Sequence, residues 1–148
     1  NENDFLMWQD YRQDQALLKI LENPKHNQLG TYYKDGNMYV FASLKKDRPE
    51  DDPHNYKNKF LANDVFQWES IAHIRKEEED RQRKAKQVFV FVRKVKEENG
   101  ITLPYTYVGT GELKNPRRGI SANGSILYDI HMTQDIPDYL MDDFKWIA

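Results

Sequence analysis

Residues 87–94 carry bulky apolar side chains at every second position on both sides of the chain. Val88, Val90 and Val92 lie on one side, and Phe89 and Phe91 on the other, before Arg93 ends the run. A strand apolar on both faces is packed on two sides and belongs in the middle of a sheet. Glu98-Asn99-Gly100 predicts a turn, because Asn-Gly tolerates positive φ. Tyr105-Thr106-Tyr107-Val108 then reads as the returning strand, ending at Gly109-Thr110-Gly111. The hairpin 87–113 is the expected centre of the sheet.

Around it the pattern alternates between helical and extended periods. Phe5, Trp8, Tyr11, Leu17, Leu18 and Leu21 fall on one stripe at helical spacing, which predicts a helix over 4–22 with Asn3 as N-cap and Asn23-Pro24 as its stop. Residues 29–33 and 38–44 flank Asp35-Gly36 and read as a second hairpin. In it Met38, Val40 and Ala42 share one face, and Tyr39, Phe41 and Ser43 the other. Residues 45–58, with Pro49 and Pro53, read as a loop. Phe60 to Asn63 suits a helical turn, and Val65 to Ser70 a short strand. Residues 71–86 are strongly charged and suit a solvated helix with pairs such as Glu77–Arg81 and Glu79–Arg83, or a flexible arm. Lys114 to Gly119 reads as a basic loop, followed by a strand in which Ile126, Tyr128 and Ile130 share a side. Pro137 opens a final helix with Tyr139, Leu140, Phe144 and Ile147 on its apolar face. The outline is α+β: a mostly antiparallel, twisted sheet or pseudo-barrel flanked by N- and C-terminal helices.

Composition narrows the class. With 148 residues, 31% charged and 13% aromatic, the chain suits one domain with a real core rather than a disordered segment. There is no cysteine, so neither a disulfide frame nor a thiolate metal site is available, in keeping with a cytoplasmic setting. No apolar run approaches membrane-spanning length. The formal net charge is -2, so any contact with nucleic acid requires a local basic face. The chain opens without Met on a helix-like segment, which reads as a C-terminal fragment of a larger protein.

Signals for catalysis are weak. His26, His54, His73 and His131 stand in no metal-ligand spacing. Asp51-Asp52-Pro53-His54 could hold a cation, but no second ligand cluster lies near it. Gly109-Thr110-Gly111 follows a strand yet lacks the third glycine and the helix of a phosphate loop, so it reads as a bulge or tight bend. Asp64 and Glu69 surround Trp68, with no lysine in the same strand to complete a nuclease core. The domain is therefore expected to be no enzyme itself and to need neither metal nor cofactor. Binding signals are stronger. Tyr32, Tyr33, Phe66, Trp68, Tyr105 and Tyr107 sit at or near strand ends beside basic loops. Rings that stack on bases, next to cations that neutralise phosphate, suit a nucleic-acid reader, although each ring could equally be core.

Four blocks occur together in the order of a known family: GTYYKDGNMYVFASLKKD (30–47), YKNKFLANDVFQWES (56–70), VFVFVRK (88–94) and LPYTYVGTGEL (103–113). They resemble the C-terminal domain that follows superfamily-2 helicases and phospholipase-D-type nucleases in type IV restriction enzymes. The resemblance covers about 30–136. This chain has Trp68-Glu69-Ser70 where the family often has Trp-Gln-Ser, and Ser121-Ala122-Asn123-Gly124 where it tends to carry His-Glu-Gly. The resemblance implies a bacterial cytoplasmic defence protein whose C-terminal module reads 5-methylcytosine or 5-hydroxymethylcytosine in double-stranded DNA. Its ATP-dependent helicase and its nuclease would lie elsewhere on the same chain.

A flipped base is the mechanism that reading implies, with a barrel of the SRA, PUA or B3 kind as the structural analogy. Trp68 with Tyr105 or Tyr107 would wall the pocket, with Phe66 and Tyr33 near it. Glu69, Asp64 or a backbone carbonyl would accept the cytosine amino hydrogen. Lys57, Lys59, Arg93, Lys114, Arg117 and Arg118 would hold phosphates. The competing expectation is a protein-interaction or dimerisation domain whose aromatics are all buried.

Overall fold

The computed structural model describes residues 5–21, 30–44, 58–70, 74–119 and 124–145. Its chain order is β1 (Asp10–Tyr11), α1 (Gln13–Ile20), β2 (Thr31–Lys34), β3 (Asn37–Ser43), β4 (Lys59–Ala62), β5 (Val65–Glu69), α2 (Lys76–Lys84), β6 (Val88–Arg93), β7 (Glu97–Glu98), β8 (Ile101–Thr102), β9 (Tyr105–Arg118), β10 (Ile126–Met132) and α3 (Asp138–Lys145). One twisted sheet runs β2-β3-β6-β9-β10-β5-β4, and β1 pairs with β9. The class is α+β, and every pairing is antiparallel except β3 with β6. As described, the sheet is open, with β2 and β4 at its edges, so the twisted-sheet alternative holds rather than the closed one.

The expected centre is where the sequence pattern places it. β6 lies between β3 and β9, and its residues 88–92 are all at most 1% exposed. Burying a Val or Phe side chain contributes about 1.5–3 kcal/mol, so this strand is a main source of the fold's stability. Strand parity sorts the core onto two faces. On one face Met38, Val40, Val88, Val90, Val92, Phe66, Trp68, Tyr128 and Ile130 meet Met141 and Phe144 of α3. On the other, Tyr39, Phe41, Phe89, Phe91, Tyr105 and Tyr107 meet Phe5 and Ala16, Leu17 and Ile20 of α1. Asp35-Gly36 and Asn99-Gly100 each take positive φ at both positions, as the two predicted turns require.

Four local expectations are corrected. The helix forms over Gln13–Ile20 alone, far shorter than 4–22. Residues 8–11 instead pair with β9: Trp8 donates to Tyr107 O and Tyr107 donates to Gln9 O. β10 pairs only with positions 111–118 of the long β9, so the early half of that strand needs other partners, and this segment supplies them. Trp8 has φ 68, which breaks any helix through it. Positions 4 and 22 of the predicted span, with Asn3 and Asn23-Pro24, lie outside the described residues. Residues 59–62 form an edge strand rather than a helical turn. Phe60 packs 4.8 Å from Phe66 and 5.4 Å from Phe144, an anchorage that pairing with β5 makes possible. The third correction concerns the basic stretch at 114–118, which is strand rather than loop. Lys114 pairs with Asp129 and Arg117 with Leu127, leaving Asn115 and Pro116 opposite Tyr128 as a bulge. Proline has no N–H to lose there, and Asn115 takes φ 53. Finally, the Gly109 bulge sits in mid-strand rather than at a strand end, where the β6–β9 register shifts and Gly109 has φ 99.

Candidate functional site

The structure separates the rings that the sequence groups together. Phe66 and Trp68 are 0% and 4% exposed on the α3 face. Tyr105 and Tyr107 are buried on the α1 face. The sheet lies between the two pairs, so Trp68 and either tyrosine cannot wall one pocket. Parity decides this, because Trp68 pairs through β10 with Tyr128, and their rings stack at 5.9 Å and 16°. Tyr105 is further held under Arg93, whose guanidinium lies 4.2 Å from the ring centroid. Arg93 also donates to Ser43 Oγ at 2.8 Å and to the Leu103 carbonyl at 3.3 Å. These contacts make it a brace between β3 and β6 rather than an open phosphate contact.

The remaining candidates are spread along β4, β5 and β9. Asp64 is exposed in the β4–β5 turn, and Lys59 is exposed on β4. Lys114 is exposed and lies 3.2 Å from Glu112, a solvent-screened pair of little energetic weight. Lys57 and Asp51 to His54 lie outside the described residues. Among the described residues no group of three metal-ligating side chains forms, and no helix is long and apolar enough to cross a membrane.

Arg117 and Arg118 come together with a residue that the sequence did not single out for binding, Arg83 of α2. The three line a cleft of about 440 Å³ between α2 and the β9–β10 end, with Ile74, Glu79, Pro116, Gly124, Ser125 and Ile126 completing its wall. Arg118 is exposed, while Arg83 is paired with Glu79 at 2.6 Å. Arg117 is oriented from three sides. It reaches Asp129 Oδ1 at 2.9 Å, its neighbour's carbonyl Asn115 O at 2.8 Å and Gln67 Oε1 at 3.4 Å. Behind Ser125 sits Glu69, 2% exposed, whose Oε2 accepts the Ser125 hydroxyl at 2.6 Å. A side chain on Gly119 would run into both groups, so glycine allows the end of β9 to close over them. Ser125 could not be picked out from the sequence: a lone serine before a strand carries no pattern, and its place depends on Glu69 across the sheet.

The cationic wall has a measurable anchor in Asp129. Burial alone would raise its carboxyl, but hydrogen bonds from Asn115 and Arg117, together with the Arg117 charge, outweigh burial and hold it below its ordinary 3.8. A carboxyl depressed in the fold stabilises fully above its unfolded value and loses that contribution as pH falls through the lower folded one. Chemical denaturation from about pH 5 to about pH 2 should show a loss of stability that Asp129→Asn makes shallower. At neutral pH the same variant should cost about 0.2–1 kcal/mol, as for a solvent-screened pair. Identical pH profiles would remove Asp129 as the anchor.

Beside this cleft α2 crosses the face that carries Trp68 and Tyr128. Its sequence, KEEEDRQRK, contains a single buried residue, Gln82, at 1% exposure. On its other flank a cleft of about 550 Å³ is lined by Tyr33, Lys34, Asn37, Asp80, Arg81 and Lys84. Arg81 lies over the Tyr33 ring at 5.4 Å from its centroid. Tyr33, a ring of the predicted set, thus borders a cleft.

Comparison with known proteins follows on this geometry. A family model described as a domain of unknown function, DUF3427, matches residues 5–144. No curated protein matches the chain. Among solved structures, one of the MspJI restriction endonuclease in complex with a 27-mer oligonucleotide is similar at a TM-score of 0.43 and 11% identity, over 72% of this chain and 32% of that one. The chain thus spans about a third of that structure's length.

Proposed function

The chain belongs to the DUF3427 family, and from that footing we propose that it is a DNA-binding module that reads 5-methylcytosine or 5-hydroxymethylcytosine. In this reading it is no enzyme itself and directs the ATP-dependent helicase and the nuclease of a longer type IV restriction enzyme to modified DNA. The observation that carries the proposal is the convergence of Arg83, Arg117 and Arg118 on one cleft, backed by the buried Ser125–Glu69 pair. Arginines at a cleft mouth suit phosphates, and their planar guanidinium groups can also stack on an unpaired base. The Ser125 hydroxyl donates to Glu69 and fixes a polar group in the wall of the cleft. At about 440 Å³ the cleft falls within the size range of small-ligand sites. Inspection of a single base requires its removal from the stack, at a cost of a few kcal/mol.

The test is a binding titration with a duplex carrying one 5-methylcytosine and its unmodified twin, at two salt concentrations. Burial of one methyl group should favour the modified duplex by about fivefold. Three neutralised phosphates should weaken binding about 40-fold between about 50 and about 200 mM salt. Equal affinity for both duplexes would sink the modified-base reading. Absence of binding, with a dimer in sizing, would favour the interaction domain instead.

A further inference from the structure

We infer that a nucleobase site lies beneath α2, walled by Trp68, Tyr128 and Tyr33, and that the side-chain amide of Gln82 fills it in this structure. The inference rests on the modified-DNA reading and names where the flipped base goes. Its first support is a hydrogen-bond deficit. The hydroxyls of Tyr33 and Tyr128 and both polar atoms of the Gln82 amide are buried, and none completes a well-formed hydrogen bond; Gln82 and the Tyr33 hydroxyl make only a poorly aligned contact. Buried polar groups in folded proteins are nearly always satisfied, and four such poorly met atoms under one short helix are exceptional. The groups are neighbours: Gln82 lies beside the Tyr33 hydroxyl, Tyr128 is within electrostatic reach of Tyr33, and Arg83 and Glu79 of α2 lie near Tyr128.

Chemical likeness is the second support. A primary amide presents one carbonyl acceptor and an amino donor in a plane. Cytosine's pairing edge likewise sets an amino donor beside an acceptor, its ring nitrogen N3, with the carbonyl beyond. Two tyrosine hydroxyls, each able to donate and accept, can meet either. Burial, reinforced by Glu78, pushes the Tyr33 phenol up, and burial pushes the Tyr128 phenol up as well, so both keep their protons. The Trp68–Tyr128 stack supplies the aromatic wall that base selectivity needs.

The third support is that α2 is built to move. It has nine residues, below the length at which an isolated helix is stable, and buries one polar side chain. It packs the core mainly through Ala85, just past its end. Clefts of about 440 and 550 Å³ undercut it on both sides. An element with so few apolar contacts belongs to the low-stability end of a fold. Arg83 on one flank and Arg81 and Lys84 on the other would remain beside the backbone of a nucleotide that displaced Gln82.

Two variants and one exchange measurement test this, with the 5-methylcytosine duplex as probe. Gln82→Leu fills the site without polar atoms and should weaken binding roughly tenfold while leaving the fold at least as stable. Gln82→Ala vacates it and should tighten binding by a few-fold. Amide hydrogen exchange across 76–84 should speed up when modified DNA binds. If methyl-dependent binding is present but Gln82→Leu binds like the parent and exchange over α2 stays unchanged or slows, the site beneath α2 is overturned and the DNA reading stands. If neither the parent nor either variant distinguishes methylated DNA, both fall together.

Discussion

Trp68→Ala is expected to lower the stability of the fold by about 3–5 kcal/mol, the usual range for removing a buried aromatic ring. The indole is 4% exposed, stacks on Tyr128 and belongs to the cluster that includes Phe66 and the valines of β6. Its loss leaves a cavity in that cluster, which neighbouring side chains fill only in part. Domains of this size have roughly 5–15 kcal/mol in total, so the variant should be partly unfolded in mild denaturant. The readout is a drop in the denaturation midpoint with an unchanged slope. Tyr33→Phe separates ring from hydroxyl. It removes a buried oxygen that makes no well-formed hydrogen bond and keeps the ring under Arg81, so its midpoint should stay within about 0.5 kcal/mol of the parent or rise. An unchanged midpoint for Trp68→Ala would place the indole outside the core.

Arg118→Glu should show the opposite profile, with no change in stability and a large change in DNA binding. Arg118 is exposed at the end of β9 and forms no ion pair with a described residue, so the fold does not depend on its charge. If it holds a phosphate, reversal removes one released counterion and adds a repelled charge at the cleft mouth. Affinity at about 50 mM salt should fall between about tenfold and about 100-fold, and the slope of log affinity against log salt should drop by about one. Methylated and unmodified duplexes should suffer alike, since a phosphate contact positions the protein without reading sequence. Lys19→Glu, on the helix that covers the other face of the sheet, is the control and should bind within about twofold of the parent. Equal losses for both variants would mean that the overall charge, not the cleft, attracts DNA.

The two profiles differ for the same reason that the sequence separated the residues poorly. Trp68 and Arg118 both lie on strands near aromatic and basic neighbours, and one-dimensional context does not say which side chain is sealed. Likewise residues 5–11 carry an aromatic stripe that fits a helix. The unmet backbone groups of the long β9 are invisible in that stripe, and they are what draw the segment into the sheet. Asn115-Pro116 reads as a loop because proline breaks strands, while the opposing Tyr128 of β10 makes it a bulge.

Chain-local physics was enough for the central strand 88–93, the Asp35-Gly36 and Asn99-Gly100 turns, and the start of the final helix, though not for its buried face, where Met141 is sealed and Tyr139 exposed. Side-chain alternation and positive-φ tolerance are properties of neighbouring residues and need no partner to be read. Tertiary packing alone put Tyr105 and Tyr107 behind the sheet from Trp68, because strand order and register, not spacing, choose a face. It also brought Arg83 beside Arg117 and Arg118, set Ser125 on Glu69, and buried the one amide of a charged helix beside the Tyr33 hydroxyl. Each of these depends on contacts between residues tens of positions apart, whose energies appear only once the backbone has closed around them.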